Sequence, residues 1–306
     1  MISTCTMNPS LDYYMEVDGP LERGKPNRSN LEFYEAGGKG INVSIVLNNL
    51  GIPTRAFGFV GGFTKDFYIS LLAKYQEIRP YFTYIDGHTR INVKCHAEMH
   101  TNLNATGPYI TDSDMKNLRE KVERLGDTDY FVLAGITPEY LEDETADMLK
   151  KAIEAGVKVV IDTNPNLMRQ VIPAHPFMLK TTDDDLAVLV GKELKTKKQI
   201  VAAAKQVYED GVQHVLVLVD NKLAILVYEG GVYEGDVLHH DQFVNTVGTG
   251  DSLVAGFLMD YLRSRDVLDS FKYAVSSGAA TAYSRGLATR AKIDSFYDQT
   301  EIRKLD

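Results

Sequence analysis

From about residue 128 onward the chain alternates strand-type and helix-type segments separated by short breaks, and this constrains the fold more than any other feature. Tyr130–Ala134 reads as a strand. Residues 138–155 read as an amphipathic helix with Leu141, Thr145, Leu149 and Ala152 on one stripe, closed by Gly156. Strands follow at 157–161 and 177–180, a helix at 198–210 ending at Gly211, and a strand at 212–219. Such alternation argues for a parallel sheet covered by helices. Short strands around Gly230-Gly231 (223–235) break the rhythm as a hairpin, and helices follow at about 250–264 and 267–284.

The first hundred residues read mainly as strands with helical inserts. Residues 2–6 form a short strand broken by Asn8-Pro9-Ser10, and 11–17, 29–35 and 89–99 are further candidates. Ala36-Gly37-Gly38-Lys39-Gly40 then opens a helix with apolar positions 43, 46, 47 and 50, and Gly51 fits its C-terminus. Neither a linker nor an internal repeat interrupts the chain. The expectation is one domain over 1–306: a large α/β unit carrying a small sheet, discontinuous in sequence, from about 10–35 and 88–108.

The 306 residues are 44% apolar and 25% charged, ordinary values for a globular chain, so disordered, collagen-like and coiled-coil classes are excluded. The net charge of −9 argues against nucleic acid as a partner. No apolar run approaches the roughly 20 residues of a spanning helix, so no membrane is expected. The N-terminus lacks the basic flank and long apolar stretch of a signal peptide, which points to a cytoplasmic protein. Cys5 and Cys95 lie in strand-like stretches without metal-type spacing and are expected to be buried, reduced thiols.

Residues 245–252, Asn-Thr-Val-Gly-Thr-Gly-Asp-Ser, precede an apolar helix. Gly248, Thr249 and Gly250 present backbone N–H groups where the helix N-terminus adds positive potential, which makes an anion hole, and Asp251 stands at its edge. A carboxylate beside an anion hole suits phosphoryl transfer to a hydroxyl; the plainer reading is an ordinary helix cap. Gly37-Gly38-Lys39-Gly40 with Asn42 likewise precedes a helix, and fits either close approach of a polyhydroxylated ligand or a simple turn. Neither a Walker P-loop nor a Gly-x-Gly-x-x-Gly dinucleotide signature is present. Lys25, Arg28, Lys39, Arg90 and Lys94 suit a phosphate-bearing ligand or solvated surface, with Arg90 and Lys94 on one strand face. Asp12 could grip sugar hydroxyls or cap the preceding turn. His96 and His100, read as strand residues, would lie ~13 Å apart, too far to share a metal. Asp183-Asp184-Asp185 reads as the solvated start of a helix.

Together these segments resemble the ribokinase-like sugar kinases of the PfkB family, most closely the branch that phosphorylates sugar phosphates. The resemblance covers essentially the whole chain. Its carriers are Thr6-Met7-Asn8-Pro9-Ser10-Leu11-Asp12, Asn27-Arg28, Gly37 to Val43, Gly61-Gly62-Phe63-Thr64, Thr89 to Lys94, and Val244 to Ser252. It implies a three-layer α/β/α core with a mostly parallel sheet, a small β-sheet lid that often doubles as a homodimer clasp, and use of ATP and Mg²⁺. It implies Asp251 as catalytic base with Gly248, Thr249 and Gly250 as anion hole. Asp12, Gly37, Gly38, Lys39, Asn42 and Asn104 would hold the sugar, and Arg90 and Arg28 its phosphate. Lys180, Thr182, Asp220 and Ser277 would lie at the nucleotide, and Asp162 and Asp185 at the metal.

The nucleotide half departs from the family pattern. Lys180-Thr181-Thr182-Asp183-Asp184-Asp185 stands where Lys-Pro-Asn-x-x-Glu is usual, Ala134-Gly135-Ile136-Thr137-Pro138 replaces Ser-Gly-Ser-Leu-Pro, and Leu218 to Ala224 lacks both usual glycines. The resemblance implies phosphorylation of fructose 1-phosphate as the expected activity, with tagatose 6-phosphate or another sugar phosphate as alternative substrates. A sugar-phosphate-binding protein with impaired kinase activity is the reading from another class.

Overall fold

The computed structural model describes residues 1–238, 244 and 246–305. The chain opens with β1 (Ile2–Thr6), which is entirely buried, then β2 (Ser10–Glu16) and β3 (Leu31–Gly37). α1 (Lys39–Asn49), β4 (Thr54–Gly61) and α2 (Gly62–Leu72) follow, with short strands β5 (Ile78–Pro80) and β6 (Thr83–Ile85). β7 (Arg90–His96), β8 (Thr101–Leu103) and α3 (Asp112–Val122) close the first part. The alternating stretch runs β9 (Tyr130–Ala134), α4 (Glu142–Glu154), β10 (Lys158–Asp162), α5 (Pro165–Val171), β11 (Met178–Thr182), α6 (Asp183–Val190), α7 (Lys197–Glu209) and β12 (His214–Val219). The hairpin β13 (Leu223–Tyr228) and β14 (Gly231–Asp236), helices α8 (Thr249–Ser264), α9 (Val267–Ala282) and α10 (Arg290–Tyr297), and β15 (Ile302–Leu305) complete it.

Among the described residues the main sheet has 11 strands in the order β15-β14-β13-β12-β11-β10-β9-β1-β4-β5, with β6 beside β4. From β5 to β12 the pairs are parallel, and β13 to β15 are antiparallel. Period-2 alternation sends each parallel strand's side chains to two cores. Phe131, Leu133, Val159 and Ile161 face the core under α3 to α7, whereas Tyr130, Val132, Ala134 and Val160 face the one under α1, α8, α9 and α10. This is the expected helix–sheet–helix sandwich. The chain leaves β1 toward β4 on one side, while β9 pairs on the other. Crossovers that diverge from neighbouring strands leave a crevice beyond their C-terminal ends, the usual place for a ligand in such sheets.

Over that end stands a separate four-stranded sheet, β3-β2-β7-β8, the lid. It is built from early segments not contiguous in sequence, 10–37 and 90–103. Three local expectations need correction. Residues 138–155 do not make one helix: Pro138 precedes a 3-10 turn at Glu139–Leu141, and the α-helix starts at Glu142. Cys5 is buried, and burial pushes its thiol up to about 12, but Cys95 on the two-sided lid is only half-buried. β7 ends at His96, so the chain turns through 97–99 and the His96 and His100 rings stack with centroids 4.5 Å apart.

Candidate active site

Two helix N-termini meet where the crevice and the lid converge. Gly248 caps α8 with φ +81°, a left-handed conformation that costs a side-chain-bearing residue about 1–2 kcal/mol. The turn it makes directs the first N–H groups of α8 outward, and Ser252 Oγ ties back to the Gly248 carbonyl at 2.8 Å. Asp251, in the first turn, is 4% exposed and accepts a hydrogen bond from Asn42 Nδ2 at 2.8 Å. Burial, and then the nearby charge of Asp162, push its carboxyl up to about 6; Lys180, Lys39 and the Asn42 bond only partly offset this. A base that titrates near neutrality in a closed site is suited to taking a hydroxyl proton.

Asn42 is placed by α1, whose N-terminus Gly38 forms with φ +131°; a side chain there would also strike Thr6. Lys39, the next residue, donates to Asp162 Oδ1 at 3.0 Å, and Lys180, buried in β11, donates to Asp162 Oδ2 at 2.9 Å. Burial alone would raise the Asp162 carboxyl, but Lys180 and Lys39 outweigh it and hold it below the usual carboxylate range. Asp162 in turn raises the Lys39 ammonium. The crevice therefore joins two carboxylates and two ammonium groups.

The lid supplies a polar wall. Asp12 on β2 accepts from Ser10 Oγ at 2.7 Å and from Asn92 Nδ2 at 2.9 Å. Asn92 stands opposite Asp12 in the parallel β2–β7 register, and its Oδ1 accepts from the Ala105 N–H at 3.1 Å. Gly37 closes β3 opposite Ser10. Arg90 donates through Nε and Nη2 to the Asn8 carbonyl and through Nη1 to the Ala105 carbonyl, so it clips the segment after β1 to the segment after β8. Lys94 donates to Asn104 Oδ1 at 3.2 Å. Asn92, which sequence reasoning did not single out, joins this wall; its even spacing from Arg90 and Lys94 was the available signal.

Of the expected residues, Asp251, Gly248, Thr249, Gly250, Gly38, Lys39, Asn42, Asp162 and Lys180 come together at the crevice. Asp12, Gly37, Arg90 and Asn104 are on the lid side. Arg28 lies exposed in the loop between β2 and β3, with no hydrogen bond or ion pair among the described residues. Asn245, part of the quoted motif, lies outside the described residues. Thr182 caps α6, accepting from the Asp185 N–H at 3.1 Å, and Asp185 is near enough to act on the Lys39 charge. Asp220 has a left-handed backbone, with φ +49°. Ser277, in α9, is fully buried, its hydroxyl donated to the Tyr273 carbonyl.

Among the described residues no three acidic, histidine or cysteine side chains gather as a ready-made metal cage. Mg²⁺ in kinases is held by one or two carboxylates with phosphate oxygens and water, so the donor set here fits a metal that arrives with a nucleotide. No described helix is long and apolar enough to cross a membrane.

Residues 6–293 match the pfkB family of carbohydrate kinases. The chain belongs to that family. It is 34% identical to the 1-phosphofructokinase of Bacillus subtilis, aligned over 100% of both chains, and 27% identical to the D-tagatose-1-phosphate kinase of Bacillus licheniformis, again over 100% of both. The structure superposes on phosphofructokinase-2 from Escherichia coli with a TM-score of 0.91, covering 97% of this chain and 98% of that one; at 22% identity this establishes the ribokinase-like fold.

Proposed function

We propose that this kinase transfers a phosphoryl group from ATP to the free terminal hydroxyl of a ketohexose 1-phosphate, with fructose 1-phosphate as the leading substrate, in the cytoplasm. The observation that carries the chemistry is Asp251: buried, raised to about 6, held by Asn42 and placed beside the Gly248–Gly250 turn. The relatives named for fructose 1-phosphate and tagatose 1-phosphate support the 1-phosphate class, and these sugars differ in the direction of one hydroxyl.

In this reading Asp12, held by Ser10 and Asn92, accepts from sugar hydroxyls, and the lid excludes water. The acceptor O–H gives its proton to Asp251 as its oxygen bonds to the γ-phosphorus. The bond from that phosphorus to the ADP oxygen breaks, and the electron pair leaves with ADP. The N–H groups at the start of α8 offset charge growing on the phosphoryl oxygens. Mg²⁺ would be held by Asp185 with the nucleotide phosphates and would neutralise phosphate charge. Lid strands with exposed apolar side chains support a homodimer through the lid.

ADP release with Mg·ATP, measured on fructose 1-phosphate, tagatose 1-phosphate, fructose 6-phosphate and unphosphorylated sugars, tests the reading. Turnover is expected on fructose 1-phosphate, with loss of about 100-fold or more in Asp251→Asn. Silence on every sugar in a protein that still binds a sugar phosphate would favour the binding-protein reading instead.

A further inference from the structure

Asn92, in β7, is 4% exposed, and both ends of its amide are used. Nδ2 donates to Asp12 Oδ1 at 2.9 Å, and Oδ1 accepts from the Ala105 N–H at 3.1 Å. A buried amide with one acceptor and one donor opposite it cannot flip without losing both bonds, so its orientation is fixed. Asp12 Oδ1 takes a second bond, from Ser10 Oγ at 2.7 Å. Among the described residues nothing donates to Asp12 Oδ2, which lies 2.5 Å from the point where a Cβ on Gly37 would stand. The free oxygen therefore rests over the backbone of the turn that leads into α1. Arg90, two residues before Asn92 and on the same strand face, holds the Ala105 carbonyl, and Asn8 Nδ2 donates to the Thr106 carbonyl at 2.7 Å. The segment after β8 is thus tied to the same amide that holds Asp12.

We propose that Asn92 is a positioning residue for the acceptor sugar: it aims the one free oxygen of Asp12 over Gly37, where a sugar hydroxyl donates, and couples that aim to the segment after β8. It touches no reacting atom. A carboxylate with both oxygens free turns about its last torsion and meets a hydroxyl in many geometries. With Oδ1 anchored by two donors, a single acceptor is left at a single place, which is what orienting a substrate requires. The same arrangement gives position 37 a steric requirement for glycine, since a methyl there would stand 2.5 Å from Asp12 Oδ2 and 2.7 Å from Ser10 Oγ. The charged and titratable groups around the amide are Asp12 and, next in register, Glu35; Arg90 and Lys94 along β7; and Tyr68 of α2, on which Asp12 acts. Asn92→Asp would set a second carboxylate against Asp12, and two such groups side by side hold on to one proton. Once protonated, the introduced carboxyl offers the same donor and acceptor as the amide. The inference rests on the sugar-phosphate reading above, and the experiment below separates the two.

The full chain is titrated calorimetrically with fructose 1-phosphate, and then with tagatose 1-phosphate, without nucleotide, at about pH 8 and about pH 5.5. The ligand phosphate and Asp251 both titrate in this range, so affinity is read as the ratio of variant to wild type at each pH. Asn92→Asp is expected to bind fructose 1-phosphate about tenfold or more weakly at pH 8, where the two carboxylates repel, and to recover to within about threefold of wild type at pH 5.5, where the shared proton restores the donor. Gly37→Ala leaves Asn92 in place and crowds Asp12 and Ser10 instead. It should bind about tenfold more weakly at both pH values, and it serves where Asn92→Asp does not fold. Both variants should bind Mg·ATP within twofold of wild type, which a general loosening of the fold would not allow. The inference is overturned if Asn92→Asp binds fructose 1-phosphate like wild type at pH 8, if its deficit is the same at pH 5.5, if Gly37→Ala binds like wild type, or if Mg·ATP binding falls in step. A wild type that binds neither sugar phosphate removes the sugar-phosphate reading and this inference together, whereas a wild type that binds beside an indifferent Asn92→Asp removes the inference alone.

Discussion

In the proposed reaction Asp251 would serve as a base because it is uncomfortable as a buried anion. Its carboxyl titrates near 3.8 when unfolded and about 6 when folded. The raised folded value means the native state binds the proton more tightly. Burial of this group therefore costs nothing below about pH 4, costs progressively more between 4 and 6, and costs the full amount above 6. Two pH units correspond to roughly 2–3 kcal/mol, an upper figure because Asn42 also loses its bond in a variant. Asp251→Asn should accordingly be more stable than wild type in urea at pH 8 and indistinguishable near pH 4, while turnover collapses. Equal midpoints at pH 8 would remove the assigned burial cost. In the wild-type enzyme, kcat should fall about tenfold per pH unit below 6 as Asp251 takes up its proton; an acid limb near pH 4 would point to another base. The residues that sequence exposes at this scale carry their chemistry in a local signature, as Gly248 to Asp251 do. The Lys39–Asp162–Lys180 grouping does not, because sequence separations of 123 and 18 become contacts only once β10, β11 and α1 are assembled. Asn92 failed for a related reason, since its partner Asp12 is 80 residues away across a strand register.

Among the elements, the β12–β13 turn places side-chain-bearing residues in a left-handed backbone. Asp220 and Asn221 have φ of +49° and +55°, and the Lys222 N–H closes onto the Val219 carbonyl at 2.8 Å. The turn has two left-handed central residues inside a three-residue connection, since Val219 pairs with Leu223, and Asp and Asn tolerate that backbone better than most side chains. Asp220→Gly should leave the KM for ATP within about twofold. Asp220→Val, β-branched in a left-handed position, should cost about 1–2 kcal/mol in denaturant unfolding. A stable Asp220→Val would mean that this turn does not constrain its surroundings. Elements with strong periodicity were legible, including β9, β12, α8 and α9. The stacked His96 and His100 were not, because a turn of three residues brings them together where an extended strand would have kept them apart.

At the scale of the whole molecule, the lid is a sheet with two faces and only one obvious task. Strand alternation and register put Asp12, Asn92 and Lys94 on one face, toward the crevice. The other face carries Tyr13, Met15, Tyr34, Ile91, Val93 and Leu103. Ile91, Tyr34 and Leu103 are 39%, 39% and 63% exposed; among the described residues α2 meets this face only at its β3 end, through the Tyr34–Phe67 ring contact and Ala36 packed with Tyr68. Apolar side chains in such a continuous band are costly in water at about 25 cal/mol per Å² of area left uncovered. A second copy of the same lid would cover that band and leave the sugar face free, which is the arrangement a self-complementary dimer requires. A charge at the centre of the band should therefore split the assembly without disturbing the crevice. The double variant Ile91→Glu/Leu103→Glu is expected to run at the monomer mass in light scattering where wild type is expected to run as a dimer, with its far-UV circular dichroism unchanged. A wild-type monomer, or a variant that stays dimeric, would show that the band on the lid is not the clasp.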